Sequence, residues 1–249
     1  MPPDLFEMAS TDERLSQVIS AIAMNNLDAV IDVMRGLDGI LQNHDGLKWF
    51  NLLYLKVTES VRDSPPAEGW ENQEYVERLA VIFAGLYFSA IASWQRDPDR
   101  VARSWAPLFR FRKRRDIARV QFAIAGMNAH INHDLAIALV QVSEEQGSVP
   151  RRGSPEHRDF ERTNDILERV SEQVKQFLST GIVGEIDQDL GRLDDVVVLW
   201  SVRKARDTAY SNGEILWQLR ATPLLNDAFL KNLDRLVGLS SQGLLVAKL

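Results

Sequence analysis

Cysteine is absent from the 249-residue chain, which excludes a disulfide framework, thiolate metal ligation and catalysis by a thiol nucleophile. There is no basic excess either. The net charge is -6 and the pI near 5.3, the opposite of what a general nucleic-acid binder carries, so no nucleic-acid partner is expected. No run of about 18 uncharged apolar residues occurs. The nearest approach, Val120 to Leu139, is interrupted by polar residues, and no membrane span is expected. Residues Met1 to Glu7 are acidic and lack the basic-then-apolar plan of a secretory signal, which leaves a cytoplasmic location as the expectation. Missing too are a Gly-x-Gly-x-x-Gly turn, a Walker A loop, a Gly-x-Ser-x-Gly elbow, a His-Glu-x-x-His pair and paired Glu-x-x-His helices of the di-iron kind. Period-two alternation, internal repeats and low-complexity tracts are likewise not found, so strands are not expected.

What remains is helical periodicity. Ser10-Thr-Asp-Glu13 fits a capping box ahead of Leu15, Val18, Ile19 and Ile22. Helices are expected over about Asp28–Gln42, Leu47–Val61 and Glu71–Arg96. A short helix or turn at Asp97–Arg100 and a link at Ser104–Phe109 follow. Gly147–Ser154 is the clearest loop, with Ser154 as N-cap and Pro155 at the first helical position of a helix running to about Thr180. One long or kinked helix is expected from Ile186 to Arg220, and a last one from Leu225 to Leu239. The reading is all-α, a single compact multi-helix domain over residues 1–249, built around a buried central helix at about 116–146.

That central segment carries the anomaly. Between Ile117 and Val142 nearly everything is apolar, and a helix apolar all round is normally buried. Yet Asn128, His130, Asn132, His133 and Asp134 sit inside it. Each buried polar group left unpaired costs about 1–3 kcal/mol, so five together need partners or a purpose. At about 100° per residue, His130, His133 and Asp134 share one arc at i, i+3 and i+4. Asn128 and Asn132 fall together on the opposite side, placed to hold backbone in neighbouring segments. Two imidazoles and a carboxylate on one arc suit metal ligation, or a proton-transfer pair in which Asp134 orients His130, or a hydrogen-bonded structural core. His157 opens the helix after the loop, on one face with Glu161 and Asn164, and is a candidate third ligand beside His130 and Asp134. His44, in an Asn-His-Asp-Gly turn, reads as structural.

A further stripe, Trp200, Arg203, Asp207, Tyr210 and Glu214, puts aromatics and opposite charges on one helical face. Arg203 with Asp207 reads either as a plain i,i+4 ion pair or, if inward, as the holder of an anionic substrate group. Arg110-Phe-Arg-Lys-Arg-Arg115 places five cations ahead of the central helix. A phosphate-bearing ligand would relieve their clash with the helix dipole, and so would Asp116 as N-cap with the arginines solvated.

Phe83–Phe88, Trp105–Phe109 and above all Gln121–Leu135, with Met127, Asn128, His130, Asn132 and Asp134 as its core, resemble an uncharacterised bacterial helical family, domain of unknown function 5995. His157-Arg-Asp-Phe and the segment Arg203 to Ala209 are similar to it as well. The resemblance implies an all-helical fold from about Gly46 to Trp217 and supports the central site, but it brings no reaction. Tyr87, in the first of these segments, joins Trp200, Arg203, Asp207 and Tyr210 as a candidate substrate contact.

The first functional reading is an enzyme acting on a small molecule, hydrolytic ahead of oxidative, with His130, His133, Asp134, Asn128 and Asn132 as its centre. If it is metal-dependent, nitrogen and oxygen ligation suits zinc, iron or manganese. The alternatives are a non-catalytic helical binding or scaffold protein with a structural polar core, and a metal-free acid/base enzyme. The last would have an apolar cavity beside His130. Homo-oligomerisation stays open.

Overall fold

A computed structural model describes residues 10–180 and 201–247. Among them every regular element is a helix: α1 (Thr11–Ala21), α2 (Leu27–Ile40), α3 (Gly46–Asp63), α4 (Gln73–Arg96), α5 (Ala106–Phe111), α6 (Arg119–Ala129), α7 (Leu135–Glu145), α8 (Pro155–Thr180), α9 (Val202–Leu219) and α10 (Pro223–Val246).

The helix starts are dictated locally. Ser10 Oγ accepts from Glu13 N–H while Glu13 Oε2 accepts from Ser10 N–H, the reciprocal capping box read from the sequence. Asn26, Asp45, Asn72 and Ser201 cap α2, α3, α4 and α9 through side-chain oxygens. Ser154 Oγ accepts from His157 N–H ahead of α8, with Pro155 at its first position. Ser201 has extended backbone, so a single helix from Ile186 to Arg220 does not run through it. The 186–200 part of that expectation lies outside the described residues. Two further corrections concern ends. Ala106–Phe111 is a helix rather than a link, and α10 continues seven residues past Leu239 because Ser241 and Leu245 are buried against the centre.

The centre is a continuous helix in three stretches. Between α6 and α7 the residues His130–Asp134 form a π turn, in which Leu135 N–H donates to His130 C=O five residues back. α3 packs along α6, α4 and α9 along α7, and α10 along α6, so the π turn is enclosed. The α3 contact is close because Gly126 has no side chain. A Cβ there would lie 2.4 Å from Phe50 Cγ. On the other side, a Cβ at Gly238 of α10 would meet the Arg103 carbonyl oxygen at 2.4 Å.

Polar contacts fix the register. Asn128 Nδ2 donates to Val237 O and Ser241 Oγ, and Asn132 Nδ2 donates to Asn128 Oδ1. The asparagine pair therefore clamps α10 to α6. Ala118, not Asp116, precedes the first turn of α6, and Gln121 Oε1 accepts its N–H. Asp116 instead pairs with Arg114. Arg112 of the basic run is buried and grips Asp45 through Nε and Nη2 (2.9 and 2.7 Å), so this arginine is not a solvated cation awaiting a phosphate.

By length and composition α4 is able to cross a membrane, and it comes closer to a span than Val120–Leu139. Its Tyr75, Val81, Ala84, Tyr87, Phe88 and Ile91 are buried in the core.

Candidate functional site

The π turn explains how three polar side chains converge. With an extra residue in the turn, successive side chains are rotated by less than the roughly 100° of an α-helix, so neighbours His133 and Asp134 can face each other. Asp134 Oδ2 accepts from His130 Nδ1 (3.0 Å) and from Trp105 Nε1 (2.9 Å), and Oδ1 accepts from His133 Nδ1 (2.7 Å). All four residues are buried. Burial alone would raise the Asp134 carboxyl, but the hydrogen bonds and charges of the two imidazoles hold it below its ordinary value.

The two histidines diverge. Burial works against a proton on His133, yet Asp134 and Asp234, the latter 3.7 Å from Nε2, outweigh it and raise its pKa. On His130 burial wins over the Asp134 carboxylate, and the pKa is depressed. His130 is thus a neutral imidazole with Nδ1–H donated to Asp134. Its Nε2 is buried and has no hydrogen-bond partner among the described residues. The ring stacks on Phe83 (centroids 3.5 Å apart, 5° between planes), with Tyr54 and Phe50 edge-on at 4.6 and 5.7 Å.

His130 lines a cavity of about 100 Å³ with an almost wholly apolar wall, including Tyr54, Val57, Phe83, Met127, Ile131 and Leu167. Polar residues also reach its lining from α8 and α9, among them Asp159, Thr163 and Arg206. An imidazole with one nitrogen fixed by a carboxylate and the other unpartnered has the tautomer that proton acceptance at Nε2 requires.

The other expected site residues lie elsewhere. His157 does not join His130 and Asp134. Its Nδ1 accepts from Gly153 N–H, its Nε2 is 4.0 Å from Glu161, and its ring sits edge-on to Tyr210. Among the described residues no three histidines or carboxylates are arranged to hold a metal ion, so the proposed His130, Asp134 and His157 ligand set is not assembled. Tyr87 is fully buried, its hydroxyl donates to Asn51, and it lies in the aromatic core away from the cavity lining. Arg203 is exposed and pairs with Asp165 and Glu168, while Asp207 pairs with Arg152, so neither the i,i+4 pair nor the inward anion holder is seen. Tyr210 is buried between His157 and Phe160. Trp200 lies outside the described residues.

Reasoning from the sequence missed Trp105, Tyr54 and Arg206. Trp105 is 29 residues from Asp134 and carries no local signal. Arg206 did carry one. Ala205, Ala209, Gly213, Leu216 and Trp217 mark the inward arc of α9, and Arg206 falls within it, whereas Arg203 and Asp207 lie beyond its edge.

The model of a family of unknown function (DUF5995) matches residues 27–247. The chain belongs to this family. The DUF5995 match takes in every residue of the π-turn cluster and its cavity, and leaves only α1 and the chain ends outside. No curated protein and no solved structure matches the chain.

Proposed function

We propose that this DUF5995 chain is a hydrolase for a small, largely apolar substrate, with His130 as general base. The observation that carries the reading is that His130 lines an apolar cavity with its buried Nε2 unpartnered among the described residues and its Nδ1–H held by an ionised Asp134. In the reaction Nε2 takes a proton from a water molecule as its oxygen attacks the substrate carbonyl. Asp134 stabilises the imidazolium that forms, and the same proton then passes to the leaving group. Trp105 and His133 hold the carboxylate in place through its remaining lone pairs. Tyr54 is kept as a neutral phenol by burial and by the charge of Asp134, which leaves it a hydrogen-bond donor on the same wall.

One observation favours a second reading, a binding protein without turnover: the face-to-face stacking of His130 on Phe83 also suits a structural aromatic cage. Hydrolysis of short-chain p-nitrophenyl esters, from acetate to hexanoate, separates the two. Saturable turnover that falls at least ~10²-fold in His130→Phe supports the hydrolase, since general-base catalysis contributes about 10²–10⁴-fold. Turnover unchanged in that variant would overturn it. An apolar ligand that raises the melting temperature of a protein with no turnover would favour the binding reading.

A further inference from the structure

Among the described residues Arg206 is the one arginine or lysine of the cavity lining, and the proposed chemistry does not use it. It is 7 % exposed on α9, and its guanidinium lies 4.0 Å above the Phe160 ring centre. Nε donates to Asn164 Oδ1 (2.6 Å), and Nη2 donates to Phe160 O and Thr163 Oγ1 (2.9 and 2.5 Å). Every one of those acceptors is neutral. Among the described residues no carboxylate lies within 4.0 Å of the guanidinium, and Nη1 makes no hydrogen bond. Buried charges are ordinarily paired, because burial without a counter-charge is unfavourable. Here burial lowers the Arg206 pKa to about 9.

The two carboxylates of the same cavity lining are engaged by other partners. Asp159 accepts from Glu71 N–H, Asn72 N–H and Arg162 Nη1 (3.0, 2.7 and 2.8 Å). Glu156 accepts from Asn72 Nδ2 (3.1 Å). Glu161, whose charge reaches Arg206 from a greater distance, accepts from Asn164 Nδ2 and faces Arg203. The cavity therefore has an apolar body with a buried, fixed cation on its lining and no neutralising anion of its own beside it.

We infer that the cavity binds a short-chain carboxylate, or a substrate carrying one, with its carboxylate on Arg206 Nη1 and its apolar chain along Phe83 and Met127 towards His130. The inference rests on the cavity used in the hydrolase reading, though not on turnover. At about 100 Å³ the cavity is smaller than one of ~150 Å³ that accommodates benzene in another protein, so its size suits a chain of a few carbons.

Titration calorimetry of the full-length protein with butyrate and with butan-1-ol tests it. Butyrate should bind at least ~10-fold tighter than the alcohol, the scale of a hydrogen bond to a charged group. Arg206→Met should abolish the preference and keep alcohol binding, while His130→Phe should keep the preference. Equal or weaker binding of butyrate by the wild type, or a preference that survives Arg206→Met, overturns the inference. Should Arg206→Met fail to fold, ¹⁵N NMR of the wild-type arginine side chains decides: butyrate but not butan-1-ol should shift the Arg206 Nε–H resonance, and no shift refutes the site. The two proposals fail separately. Carboxylate preference without esterase activity sinks the hydrolase alone, and His130-dependent turnover without carboxylate preference sinks this inference alone.

Discussion

Replacing His130 by phenylalanine separates a working imidazole from a structural one. The substitution keeps an aromatic ring for Phe83, Tyr54 and Phe50 to pack on. It removes one hydrogen bond to a charged carboxylate, worth about 1.5–3 kcal/mol. It also removes a buried, unpartnered Nε2, whose burial costs about 1–3 kcal/mol. Asp134 keeps Trp105 and His133 as donors. The two terms offset, and His130→Phe is expected to change stability by less than about 1 kcal/mol. Asp134→Ala is the contrast. It strands three buried donors and removes the nearer counter-charge of His133, a loss of at least about 3 kcal/mol. Urea and thermal unfolding followed by far-UV circular dichroism measure both. At roughly 2–4 °C per kcal/mol for a chain of this size, His130→Phe should melt within about 4 °C of the wild type. A loss of 3 kcal/mol or more, on the order of that in Asp134→Ala, would refute the reasoning and return His130 to the structural core.

The raised pKa of His133 gives stability that is fully present below its ordinary value of 6.5 and lost as pH rises through the raised value. Wild-type urea midpoints should therefore fall as pH rises above 6.5, and the fall should be smaller in His133→Gln. Gly126→Ala drives a Cβ into the Phe50 ring between two helices and should destabilise by about 1–3 kcal/mol in chemical denaturation, disturbing the ring that packs on His130. Asp45→Ala leaves the buried Arg112 with Asp12 alone and should lower stability by about 3–5 kcal/mol in the same assay, while Arg203→Ala, which breaks exposed pairs only, should change it by less than about 1 kcal/mol.

Much of the architecture was legible because its signals are local. The Ser10 capping box, the Ser154-Pro155 start and the all-round apolarity of α6 each need only a few residues of context. The cluster at 128–134 stood out for the same reason, as polar residues in an apolar stretch. What escaped depends on geometry that periodicity assumes away. A π turn breaks the regular 3.6-residue spacing, so His133 sits closer to Asp134 than helical angles allow. The stripe drawn through Tyr210 on α9 was centred on the rim of the buried arc, which selected the exposed Arg203 in place of the buried Arg206. The Ser240 to Gly243 stretch reads as a helix end, yet Ser241 is buried against Asn128 and the helix continues. Contacts between distant segments, such as Trp105 with Asp134 and Asp234 with the backbone of Arg103 and Ser104, have no local signature at all.

The central claim is that His130, on the cavity lining, keeps a free lone pair on Nε2. Ring ¹⁵N NMR of the histidines, followed across pH with His130→Phe to assign the signals, tests it most directly. The expected result is a neutral His130 protonated at Nδ1 and bare at Nε2 near neutral pH, titrating only as pH falls below 6.5. An Nε2–H tautomer, or an imidazolium near neutral pH, would contradict it.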